Sequence, residues 1–146
     1  MPLRLSTPIL QDFILERSDK HFEPIGEATK VTIKQATQLD HERRSTLLSH
    51  NERIFDPNPG EVRIKSNWSM EELKRLEVYC TLAGCNIEDQ DGKPLFKFRD
   101  SNGVPTLDMN MREFEIAWGS LPALVANEIY EYVLRVNFDW ATPLME

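Results

Sequence analysis

Between Leu121 and Asn137 the chain carries its widest apolar stripe: Leu121, Leu124, Val125, Ile129, Tyr132, Val133 and Val136 recur at the spacing of one helical face. Pro122 suits the start of that helix, because its fixed φ is already helical and a first-turn amide needs no partner. Asn137 can terminate it. A helix with so wide an apolar face is stable only when other elements cover it, so this segment is expected to be the most buried helix of the fold.

Two further helices announce themselves by their caps. Ser69-Met70-Glu71-Glu72 is a capping box opening a helix through Leu73, Leu76, Tyr79, Cys80 and Ala83, with Gly84 as its left-handed end. Asn110-Met111-Arg112-Glu113 is a second, opening a short helix through Phe114, Ala117 and Trp118 to Gly119. A weaker helix follows Thr37, with Asp40 in its acidic first turn and only Leu39, Arg43, Leu47 and Leu48 as a thin stripe, so most of its circumference is expected to face water.

Strand signals are short. Val31 and Ile33 alternate with Thr32 and Lys34, and Val62 and Ile64 alternate with Arg63 and Lys65; these two segments are expected to pair. Asp56-Pro57-Asn58-Pro59-Gly60 is a loop, and Asp89-Gln90-Asp91-Gly92 is an Asp-Gly turn between extended segments around Ile87 and Phe96 to Phe98. Residues 1–27 hold three prolines and one apolar cluster, Ile9, Leu10, Phe13, Ile14 and Leu15, and are expected to form an arm. The remainder, 28–146, reads as one α+β domain, mostly helical, with a small antiparallel sheet or hairpin.

Composition narrows the function classes. Seventeen basic against twenty-four acidic side chains leave a net charge of −7, which repels phosphate backbones, so nucleic acid is not an expected partner. No apolar run reaches the roughly 20 residues a membrane helix needs. The start of the chain has Pro2, Pro8, Gln11 and Asp12 where a signal peptide needs an apolar core, and the expected location is the cytoplasm. Cys80 and Cys85 are spaced neither as a zinc knuckle nor as a redox pair and are expected to be reduced and packed as small apolar side chains.

The parts of the common enzyme mechanisms are not present in the pattern. His21, His41 and His50 adjoin no activated nucleophile, and there is no Gly-x-Ser-x-Gly elbow, phosphate-cradling glycine loop or His-Glu-x-x-His pair. Asp89, Asp91 and Gly92 superficially match a calcium loop, but Lys93 and Pro94 stand where ligands are needed. Glu71, Glu72 and Glu113 are accounted for by capping and the helix dipole. The expectation is a binding protein without catalytic residues, cofactor or metal. Among the aromatic residues, Trp68, Tyr79, Phe96, Phe114, Trp118, Tyr130, Tyr132 and Trp140 read chiefly as core, with Phe138 and Trp140 as candidate interface anchors.

One resemblance sharpens this. Leu76-Glu77-Val78-Tyr79-Cys80-Thr81-Leu82, then Asp91-Gly92-Lys93-Pro94-Leu95-Phe96, then Glu113-Phe114-Glu115-Ile116-Ala117-Trp118-Gly119-Ser120-Leu121-Pro122 are followed by Glu128-Ile129-Tyr130-Glu131 and Val136-Asn137-Phe138-Asp139-Trp140. In this order they resemble the tail assembly chaperones of long-tailed bacteriophages, over about three quarters of the chain counting a similar segment at Val31 to Arg44. The resemblance implies a small acidic non-enzymatic protein of the host cytoplasm that binds the tape measure protein and recruits tail tube subunits. It also implies absence from the finished particle and, in some members, a longer form made by ribosomal frameshifting.

A tape measure protein is a long amphipathic helix, and an apolar groove between the capped helices, with Phe114, Trp118, Phe138 and Trp140 as the partner-binding residues, would cover its stripe. Self-association into soluble oligomers fits the same reading. Two alternatives predict different observations. A structural tail or neck subunit would be present in particles at fixed copy number, and a small acidic inhibitor of a host protein would bind with strong salt dependence.

Overall fold

The structure, a computed structural model, describes residues 3–4, 9–15, 29–49, 51–55, 62–66 and 69–140, the strands at 51–55 and 62–66 by their backbone. Elements run in the order β1 (Leu10–Ile14), β2 (Lys30–Lys34), α1 (Gln38–Leu48), β3 (Asn51–Phe55), β4 (Val62–Ser66), α2 (Met70–Thr81), β5 (Leu82–Cys85), β6 (Phe98–Ser101), β7 (Val104–Leu107), α3 (Met111–Gly119) and α4 (Ala123–Val136). A 3-10 turn, Phe138–Trp140, follows α4. Helices beside small antiparallel sheets make this a single α+β domain, as the pattern implies.

The caps form where the sequence places them. Thr37 Oγ1 accepts the Asp40 amide at 3.3 Å while Asp40 accepts the Thr37 amide at 2.9 Å. Asn110 and Glu113 do the same at 2.8 and 3.0 Å; at Ser69 only half of the expected box forms, the hydroxyl accepting the Glu72 amide at 3.2 Å. Each satisfies donors that a helix start otherwise leaves open, a contribution of about 1 kcal/mol per cap.

Helix α4 is the centre of the core. Val125, Ile129 and Val133 are fully buried, against Val31 and Ile33 of β2, Val78 of α2 and Phe96 and Phe114. Leu124 departs from the expected stripe: it is 55% exposed, and Tyr130 lies buried instead. Asn137 ends α4 and stitches it to the chain before α1, accepting the Ala36 amide at 2.8 Å and donating to the Lys34 and Val133 carbonyls, each at 3.3 Å.

Strand pairing corrects three expectations. The segment at 9–15 is not an arm: β1 pairs antiparallel with β2, Leu10 opposite Lys34 and Ile14 opposite Lys30, and Phe13 and Leu15 enter the core. Phe13 stacks on Tyr132 of α4 at 4.3 Å between ring centroids, and the Tyr132 hydroxyl bridges the Ile14 carbonyl and the Glu128 carboxylate. Apart from Leu3 and Arg4, which are exposed, the other residues of the expected arm, together with the loop at 56–60, lie outside the described residues.

Second, β4 pairs with β3, Asn51 opposite Ser66 through Phe55 opposite Val62, and not with β2, whose two neighbours are β1 and β5. A hairpin closing over a few residues costs less loop entropy than a pairing across α1. Third, α2 stops at Thr81, and Gly84 sits within β5 instead of ending the helix. Gly84 is opposite Thr32, and a Cβ there would lie 3.1 Å from Thr32 Oγ1 and 3.2 Å from its Cβ, so the glycine permits the close approach of β2 and β5. Gly84→Ala should therefore destabilise the domain by about 1–3 kcal/mol in urea unfolding. Adding Thr32→Ala should recover part of that loss.

The Asp89–Gly92 turn forms as expected. Asp89 Oδ1 accepts the amides of Asp91 and Lys93 at 2.9 and 3.0 Å, Gly92 takes φ +78°, and a single bridge joins Glu88 to Pro94. A second hairpin, β6–β7, turns on Asn102 and Gly103, both at positive φ as a type I′ turn requires.

Candidate functional site

Three of the four aromatic residues assigned to partner binding are core. Phe114 is 0% exposed, packed edge-on to Phe96 and Trp118 at 5.8 Å each and beside Tyr79 at 5.5 Å. Trp118 is 8% and Trp140 1% exposed; only Phe138, at 76%, offers its ring to water. Phe114 and Trp118 pack on each other within the core and Trp140 packs against His41 and Arg44 of α1, where the large apolar area of each ring is removed from water. Phe114 and Trp140 present almost no surface to a partner in this conformation.

What the surface does present is a groove of about 420 Å³ between α1, α2 and α3. Its apolar lining is Leu47, Leu76 and Met111, one residue from each helix. Arg43 and Thr46 of α1, Glu72 and Arg75 of α2 and Glu115 of α3 complete it, so charges of both signs flank the apolar residues. The Arg75 guanidinium reaches Glu115 across the α2–α3 gap at 4.0 Å, a half-exposed pair worth little in stability. The three caps fix where the helices begin, and the Tyr79 hydroxyl donates to the Met109 carbonyl at 2.9 Å, tying α2 to the segment that leads into Met111.

Beneath α1 lies a buried polar network that sequence reasoning does not find. Arg44, on a helix expected to face water over most of its circumference, is buried; its Nε donates to Glu77 Oε1 at 3.4 Å and its Nη2 to the Trp140 carbonyl at 3.0 Å. The Tyr130 hydroxyl donates to the other Glu77 oxygen at 3.2 Å. Glu77 is 0% exposed, and burial raises its carboxyl above the ordinary glutamate value despite the nearby Arg44 charge and the hydrogen bonds it accepts. Burial likewise raises the Tyr130 phenol, with Glu77 adding to the shift.

The network continues to His41, whose Nδ1 accepts the Trp140 indole N–H at 3.0 Å while its Nε2 faces Asp139 at 3.7 Å. The Arg44 guanidinium also stands 5.5 Å from the Trp140 ring. None of Glu77, Tyr130, Trp140 or His41 lines the groove. The i, i+4 spacing of Asp40 and Arg44 on the inner side of α1 is the one sequence signal that could have pointed inward.

Both cysteines are free thiols, and burial pushes Cys80 up to about 12 and Cys85 up to about 11, so neither supplies a thiolate near neutral pH. Among the described residues no three His, Cys, Asp or Glu side chains are grouped as a metal site, and no helix is long and apolar enough to cross a membrane. His21, His50 and Trp68 lie outside the described residues.

The class defined by this architecture is a small α+β domain with an open, mixed-polarity groove between three helices. No protein-family model, curated protein or solved structure matches the chain.

Proposed function

We propose that this protein is a non-enzymatic tail assembly chaperone of a long-tailed bacteriophage, acting in the host cytoplasm and holding a helical segment of the tape measure protein until tail tube subunits assemble around it. The observation that carries the reading is the groove: Leu47, Leu76 and Met111 supply an apolar strip, flanked by Arg43 and Arg75 and by Glu72 and Glu115. An amphipathic helix lays its apolar face into such a strip and sets its charged flanks against the opposite charges on the rim. The motif order described above supports the phage context.

Leu76→Asp places a carboxylate among these apolar residues and should weaken capture of the tape measure protein at least about tenfold, the loss expected for one central contact. Leu76 is only half-buried, so the fold should survive, and affinity capture from infected-cell lysate with circular dichroism on the purified variant checks both points. Quantitative mass spectrometry of purified particles is the companion test: the chaperone reading expects the protein in lysate complexes and not in particles.

A second reading, a structural virion subunit, draws support from β1. The Leu15 amide donates inward to Thr29, and that parity turns the N–H and C=O of Leu10 and Asp12 away from β2. Among the described residues no strand pairs with that edge, which is suited to strand addition by a neighbour. Abundance in particles at fixed copy number would establish this second reading in place of the first.

A further inference from the structure

Helix α1 is attached to the domain in an unusual way. Its only buried side chains are Asp40 and Arg44, both charged, so no fully buried apolar side chain anchors it. Polar contacts hold it to α2 and to the last described residue: Arg44 to Glu77 and to the Trp140 carbonyl, and His41 to the Trp140 indole. The Ala36 amide, just before the helix, is held by Asn137.

We infer that the His41–Trp140 hydrogen bond is a proton-sensitive latch, and that a second proton on the imidazole releases the Trp140 ring from α1. The geometry carries this. The indole N–H is a donor only, so at 3.0 Å it requires the lone pair of His41 Nδ1, and the ring proton of the neutral imidazole must then sit on Nε2, the nitrogen facing Asp139 at 3.7 Å. A second proton can go only to Nδ1, where it meets the indole proton head on. The bond is lost, and one of the two rings must turn away.

Among the described residues, the charged and titratable groups in contact with the pair are Asp139 from the 3-10 turn, Arg44 on α1 itself and, behind Arg44, Glu77 of α2 and Tyr130 of α4. The Trp140 backbone stays held when the ring is released, because Arg44 bonds the carbonyl and not the indole. α1 also contributes Arg43, Thr46 and Leu47 to the groove, which neither His41 nor Trp140 lines.

The test is the ¹⁵N-bound indole proton of Trp140 followed by NMR on the full chain from pH 8 to pH 5, the range over which histidines change charge in proteins. The signal is assigned by its loss in Trp140→Phe or by its contacts to the His41 ring. The latch predicts one titration of the indole resonance, coincident with that of the His41 ring protons. It should end with the hydrogen-bonded fraction reduced about tenfold, the factor one lost hydrogen bond corresponds to. His41→Asn, whose Oδ1 can take the place of Nδ1 and does not titrate, should hold the indole resonance constant over the same range. An indole resonance that does not move in the wild-type chain, or one that moves equally in His41→Asn, overturns the latch.

Discussion

Arg44→Met is expected to lower the unfolding free energy by about 3–5 kcal/mol, the cost of leaving one partner of a buried ion pair alone. Arg44 supplies the positive charge and the hydrogen bond that offset part of the cost of burying the Glu77 carboxyl group, and Met replaces its volume without either. The same change strips a donor from the Trp140 carbonyl, so the end of the domain loosens together with its middle. Equilibrium urea unfolding measures the loss, and its pH dependence identifies the cause.

In the wild-type chain the Glu77 carboxyl is already raised, so the native state holds its proton more tightly than the unfolded chain does. Stability from this group is therefore greatest below the ordinary glutamate value and falls as pH rises through the folded-state value. Removing Arg44 removes a charge that lowers Glu77, so the penalty in Arg44→Met should grow with rising pH and shrink in acid. Arg44→Met, Glu77→Gln, which leaves a neutral hydrogen-bonding group, should be less damaging near neutral pH than Arg44→Met alone.

The second large effect separates two aromatic residues that look alike in the sequence. Phe114→Ala should cost about 3–5 kcal/mol, because a fully buried ring in contact with Tyr79, Phe96 and Trp118 leaves a cavity that three rigid neighbours cannot fill. Phe138→Ala should stay within about 0.5 kcal/mol of wild type, as expected for an exposed side chain outside any network. Thermal unfolding of both variants checks the contrast. If Phe138 contributes to a partner contact, its variant loses binding while keeping the wild-type melting temperature.

That contrast marks the boundary of what the sequence discloses. Elements fixed by neighbours within four residues are legible: the boxes at Thr37 and Asn110, the Ser69 cap, the start of α4 after Pro122 and the Asp89–Gly92 turn all stand where local chemistry puts them. Asn102-Gly103, not among the turns expected above, is an equally strong hairpin signal, and its φ values show the turn that this dipeptide favours. The placement of β1 is not local. Its pairing with β2 spans some twenty residues of chain, and apolar and polar residues do not alternate along it: Leu10 and Ile14 are apolar yet on the solvent side, while Phe13 and Leu15 are inside. Whether Trp140 is an anchor or core depends on His41 and Arg44, 99 and 96 residues away.

The groove was legible only in part. Capped helices with an apolar channel between them follow from the pattern, but the residues lining it do not, because α1 turns Arg44 inward and leaves Arg43 and Leu47 for the groove. A thin stripe such as Leu39, Arg43 and Leu47 does not by itself say which side faces the domain. Leu39 ends up exposed, and the buried pair is charged.

The proposal that this groove receives a tape measure helix is tested most directly by hydrogen exchange of the full chain alone and in complex with tape measure protein. The account predicts slowed exchange in α1 around Arg43 to Leu47, in α2 around Glu72 to Leu76 and in α3 around Met111 to Glu115, with β1 unchanged. Protection confined to β1, or no protection in these three helices when the complex is formed, would contradict it.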